Sequence, residues 1–137
     1  MYMYRKTIYG SVAIACMLAA SVPAWAHHAF AAEFDVNQPV KVTGTITKVE
    51  WVNPHAWIYV DVKDATGKVT NWRFELGPPN ALFRLGWKKD SIPAGTEVTV
   101  TGFRSKALDA VANGRAITLP DGKELFSGGS GPGEGAK

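Results

Sequence analysis

The 137-residue sequence contains a single cysteine, three histidines, and no long run of charge of either sign. The cysteine, Cys16, lies inside an amino-terminal apolar run, so the chain beyond that run has neither a disulfide nor a thiolate metal site. The histidines are His27, His28 and His55, and no two of them form the His-x-x-x-His spacing that two metal ligands on one helix face require. Beyond the amino terminus the serines are Ser91, Ser105, Ser127 and Ser130, and none stands in a nucleophile-elbow context. Glu50 and Glu75 have no spacing that pairs them for acid–base work, and His55 alone lacks an orienting partner. These absences predict a non-catalytic protein.

Apolar runs are short as well. "MYMYRKTIYGSVAIACMLAASVPAWA" has Arg5 and Lys6, an apolar stretch from Ile8 to Ala20, and small residues at Ala24 and Ala26. The stretch is too short for a stable transmembrane helix. The order matches a secretory signal cleaved after Ala26, so we expect residues 1–26 to be removed and the protein to be periplasmic. Cys16 is then part of the signal. The whole chain carries +3, but without Arg5 and Lys6 it has 13 basic and 12 acidic residues, a net of +1. A nearly neutral surface lacks the basic footprint of a nucleic-acid binder. At the other end "SGGSGPGEGAK" has no anchoring apolar residue except Ala136, which predicts an unstructured tail over 127–137. One small domain, 27–126, remains.

What is present is alternation. "PVKVTGTITKVEWV" sets Val40, Val42 and Ile46 on one parity and Val49 and Trp51 on the other. A flat strand cannot bury both sets, so an extra residue near Thr47–Lys48, or a bend at Gly44, is expected. In "HAWIYVDVKDATGKVTNWRFELG" the apolar sets are Ile58, Val60, Val62 and Trp72, Phe74, Leu76. A two-residue loop opposes Ile58 to Arg73 and buries charge. A three-residue loop, Ala65-Thr66-Gly67, opposes Ile58 to Phe74 and Val60 to Trp72, with Gly67 left-handed. That register sets Trp57 opposite Glu75, Tyr59 opposite Arg73 and Asp61 opposite Asn71 on the outward face.

"GPPNALFRLGW" breaks the pattern. It predicts a short helix over Asn80–Leu85, stopped at Gly86, with Ala81, Leu82 and Leu85 plugging the core. Val98 and Val100 mark a fourth strand, "KALDAVANG" a loop, Ile117 and Leu119 a fifth strand, and Leu125–Phe126 a short return. Three strands, a helix and two strands is the order of a small OB-fold-like β-barrel, closed or partly open, which is the expected all-β fold; another small β-sandwich is the runner-up.

The segments "HHAFAAEFD", "VTGTITKVEWVNPHAWIYVDVKD", "NWRFELGPPNALFRLGW", "AGTEVTVTG" and "RAITLPDGKELF" together resemble a family of small exported bacterial proteins catalogued as a domain of unknown function. The likeness spans nearly the whole expected domain. It implies an exported single-domain protein and transfers no catalytic role.

Two functions fit. OB-folds bind along strands two and three and at the adjoining loops. By parity that face carries His55, Trp57, Tyr59, Arg73 and Glu75, with Trp51 and Asn53 at its edge. Aromatics beside a few polar groups suit a small molecule, a carbohydrate or an extended peptide. The alternative is copper. Cleavage after Ala26 frees an α-amine on His27, followed by His28. Imidazole and amine together favour copper among the divalent metals, and His55 is the natural third ligand.

Overall fold

A computed structural model of the chain describes residues 29–129. The expected signal segment, His27, His28 and residues 130–137 lie outside them. A helical turn over residues 29–33 leads into six strands: β1 (Phe34–Glu50), β2 (Trp57–Lys63), β3 (Val69–Glu75), β4 (Glu97–Ser105), β5 (Val111–Thr118) and β6 (Glu124–Phe126). One short helix, α1 (Pro79–Arg84), joins β3 to β4.

Strand β1 is the spine. Its first part pairs antiparallel with β4 through Thr45↔Glu97, and its last part pairs with β2 from Thr45↔Asp61 to Glu50↔Trp57. Thr45 is where the two partners meet. The two halves need different faces buried, and the register slips between Ile46 and Lys48, where the clash of parities predicts an extra residue. Gly44 makes the turn possible. A Cβ there would lie 2.3 Å from the Asp61 carbonyl oxygen, so no other residue lets β2 approach this closely.

The β2–β3 hairpin has the predicted register. Trp57↔Glu75, Ile58↔Phe74, Tyr59↔Arg73 and Val60↔Trp72 are partners. Asp64 and Lys68 close the loop through a 2.9 Å backbone bond, and Gly67 stands at φ +88°. The Asp64 carboxylate accepts from the backbone of Thr66 and Lys68, which turns the loop without relying on packing.

The sheet order is β3-β2-β1-β4-β5-β6, and a parallel pairing of β3 with β5 (Arg73↔Val111, Phe74↔Ala112, Glu75↔Asn113) joins its ends. Five strands thus form a closed, mainly antiparallel ring, with β6 beside β5. The interior holds Ile46, Ile58, Val60, Phe74, Leu82, Val98, Val100 and Ile117. Leu82 comes from α1, and each of the strand residues comes from the parity that alternation assigns to the core.

Helix α1 begins at Pro79, where a missing N–H costs nothing, and stops before Gly86 at φ +91°. Leu82 plugs the ring as expected and Ala81 is half-buried. Leu85 does not; it is 55% exposed. The Gly86 turn carries the chain past it and puts Trp87 into the space instead, where its indole N–H donates to the Phe126 carbonyl at 2.9 Å. A second correction concerns "VANG". Val111–Gly114 is the start of β5 and not loop, because it completes the ring against β3. Ser127, expected in the tail, is fully buried, and its hydroxyl donates to the Gly114 carbonyl. Its own carbonyl accepts from Gly77 N–H at 2.7 Å, so packed structure extends past β6. Among the described residues no helix is long and apolar enough to cross a membrane.

Candidate functional site

The outward face of β2 and β3 is the expected ligand face, and three local environments divide it. At the hairpin tip Asn71 donates to Asp61 at 2.7 Å, a polar pair across the strands. In the middle Tyr59 leans towards β1 and donates to Glu50 at 2.7 Å. Lys48 bonds the other Glu50 oxygen and lies 5.3 Å from the Tyr59 ring centre. The Lys48 ammonium, and then the Tyr59 hydroxyl, hold the Glu50 carboxyl below its usual range. Tyr59 is therefore committed to a surface network. Arg73, opposite it, is exposed.

The third environment is a cavity of about 280 Å³ at the start of β2 and the end of β3. Trp57 and Glu75, direct partners across the strands, form one wall. Ala32 and Glu33 of the helical turn, with Phe34, form the second. Ser105, Ala107 and Leu108 of the β4–β5 connection, with Val111, form the third. The second and third walls are tied together by Lys106. Its backbone N–H donates to the Glu33 carbonyl at 2.9 Å and its ammonium to the Ala31 carbonyl at 2.5 Å. Phe30 anchors the turn from below, buried against Phe34 and Phe103 with ring centres 5.5 and 6.1 Å away.

Parity assigns Glu75 to the outward face, but the two added walls cover it, and the residue is only 7% exposed. His55 stands two residues before Trp57 and so lies diagonal to Glu75 on the same face. Its Nδ1 is 3.0 Å from Glu75 Oε1. Burial pushes the Glu75 carboxyl above its usual range; His55 opposes that shift and the nearby charge of Glu33 adds to it. The position of His55 follows from the chain around it. Ala56 still pairs with the end of β3, donating to Gly77 and accepting from Leu76, so the segment is held extended up to the histidine.

The structure therefore brings together His55, Trp57 and Glu75 and separates them from the other expected residues. Trp51 stacks on Phe83 with ring centres 5.0 Å apart and meets Trp87 edge-on at 6.0 Å. Asn53 is exposed in the β1–β2 connection, next to a cis bond to Pro54. His27 and His28 lie outside the described residues. Among the described residues no three His, Cys, Asp or Glu side chains form a metal-binding group. Sequence reasoning missed Glu33, Phe34, Leu108 and Val111. The β4–β5 loop was the one available signal, since loops at that position flank the expected face.

In chemical terms the cavity offers a buried carboxylate with an imidazole on one oxygen, a second carboxylate, an indole, and an otherwise apolar lining. Such a set orients and holds a small molecule.

A family model described as a family of unknown function, DUF6152, matches residues 14–114, and the chain belongs to that family. No curated protein matches the chain. No solved structure matches it.

Proposed function

We propose that the protein is an exported periplasmic binding or accessory module of the OB-fold type, without catalytic activity, and that it holds a small ligand in the cavity at His55, Trp57 and Glu75. The observation that carries this reading is the burial of Glu75. A carboxylate covered by apolar walls is costly, and proteins keep such groups where a partner or ligand uses them. The ring order β1-β2-β3-β5-β4, with parallel β3–β5 and a helix after β3, agrees with the OB-type reading. The cavity lies on strands two and three beside the β4–β5 loop, where that fold binds its ligands.

The reading is tested by titrating ¹⁵N-labelled mature protein with a fragment library and mapping the perturbed amides. Binders should shift the Trp57 indole N–H and the amides of Glu75 and Val111. Fragments that shift only residues around Trp51 and Phe83 would move the site elsewhere and sink this reading. Export is tested by sequencing the amino terminus of protein from the periplasmic fraction, which should begin at His27.

One observation favours a second reading, copper binding. Metal-bound histidines commonly donate their other ring nitrogen to a carboxylate, and His55 has that relation to Glu75. The helical turn over residues 29–33, next to His28 in sequence, also lines the same cavity through Ala32 and Glu33. Copper titration of correctly processed protein, set against a version with one extra amino-terminal residue, decides it. Tight binding that survives the extra residue excludes a ligand set built on the His27 amine.

A further inference from the structure

We infer that the cavity is selective for a small organic cation, an alkyl- or arylammonium group, with its charge between Glu75 and Glu33 and its apolar part against Trp57. The inference rests on the cavity being a binding site, and it names the ligand class. Four observations converge on it.

The first is the unfilled half of Glu75. Its side chain is 9% exposed, and among the described residues only His55 reaches it, at Oε1. Among the described residues no donor reaches the second oxygen, Oε2. A neutral hydroxyl or amide gives that oxygen an ordinary hydrogen bond and an anion gives it none, whereas an ammonium supplies N–H donors and opposite charge together.

The second is that Glu33 lines the same cavity from a different element, and its charge is felt at Glu75. Two carboxylates facing one space repel each other and any anion. A cation between them relieves that repulsion.

The third is the absence of a competing cation on the walls. Among the described residues no Lys or Arg lines the cavity. Of the basic residues that adjoin the lining in sequence, Lys106 has its ammonium on the Ala31 carbonyl and Arg104 lies over the Trp72 ring at 5.2 Å. The Lys48 ammonium serves Glu50.

The fourth is the lining. Trp57 is half-buried, and an indole face attracts a cation, more strongly once water is excluded. Phe34, Leu108 and Val111 give the organic part an apolar seat. A volume of about 280 Å³ lies at the small end of ligand cavities, which suits a fragment-sized amine and not a peptide or an oligosaccharide.

The test uses three probes of one size and shape on the mature protein: benzylamine, benzyl alcohol and sodium benzoate. Each is titrated at low salt near neutral pH while the Trp57 indole N–H and the Val111 amide are followed by NMR. Benzylammonium should bind about tenfold or more tighter than benzyl alcohol, as a charge-assisted hydrogen bond requires, and benzoate should not bind. Glu33→Gln, at an exposed position of the helical turn, should weaken benzylammonium several-fold and leave benzyl alcohol unchanged. Glu75→Gln should abolish the preference. If Glu75→Gln does not fold, Glu33→Gln decides alone.

Equal binding of benzylamine and benzyl alcohol overturns the cation class and leaves the cavity as a neutral-ligand site. Binding of benzoate in preference overturns it more strongly. No binding of any probe overturns both the class and the cavity reading. A benzylammonium preference left undiminished by Glu33→Gln shows that Glu33 takes no part in holding the charge and also overturns the inference.

Discussion

His55 and Glu75 show how far one residue's place can be read from a sequence. Register arithmetic predicts that Trp57 opposes Glu75 and that His55 shares their face, and both hold. The burial of Glu75 was not legible. Alternation says which face a side chain takes, but not what later folds over that face. The cover comes from residues 32–34 and 105–111, far away in sequence. A pH signature follows. The raised Glu75 carboxyl means that the folded state holds its proton more tightly than the unfolded chain does. Its contribution to stability is therefore complete below the ordinary carboxylate range and is lost as pH rises through the raised value. Urea midpoints at about pH 5 and about pH 7 should reflect this loss, and Glu75→Gln should remove it from the difference between them. His55→Ala should enlarge the loss, since His55 opposes the shift. An unchanged difference in Glu75→Gln would show that Glu75 does not titrate differently in the fold.

At the scale of elements, the bend in β1 and the hairpin loop were both legible because each resolves a local conflict. Two parities cannot share one flat strand, and one register buries charge while the other does not. Gly44 carries the sharpest consequence. Gly44→Ala places a methyl group against the Asp61 carbonyl, and it should cost about 1–3 kcal/mol in urea unfolding as β1 and β2 separate. A neutral Gly44→Ala would mean that the two strands yield easily. Leu85 was wrongly assigned to the core for a physical reason, and Trp87 takes that space instead. Helical spacing was extended to Leu85, whereas Gly86 ends it and redirects the chain. The helical turn over residues 29–33 gives an independent prediction. Phe30→Ala leaves a hole beside Phe34 and Phe103 and should destabilise by about 3–5 kcal/mol, the cost of removing a buried phenyl ring. Lys106→Met should cost about 1 kcal/mol or less while raising amide exchange at Phe34 more than in β2.

For the whole molecule, strand order was legible from turn spacing and parity. The closing contact was not, because a parallel pair of three residues between β3 and β5 leaves no periodic trace. Reading "VANG" as loop hid the start of the fifth strand, which completes the ring. The closed ring also explains why the candidate site holds only part of the expected residues. Its curvature turns His55, Trp57 and Glu75 towards the β3–β5 seam, while Tyr59 remains with β1 and Trp51 with α1.

The cavity bridges that seam. One wall belongs to β2 and β3, another to the approach to β5, and the third to the residues that precede β1. No contiguous fragment of the chain that lacks either end of the span 32–111 owns a complete site. A bound ligand is then a report on assembly: it can be held only by a molecule whose β3–β5 pairing is in place. Occupancy should protect the Glu75 and Asn113 amides from exchange more than it protects the hairpin tip, so the site can serve as a reporter of its own fold's completion.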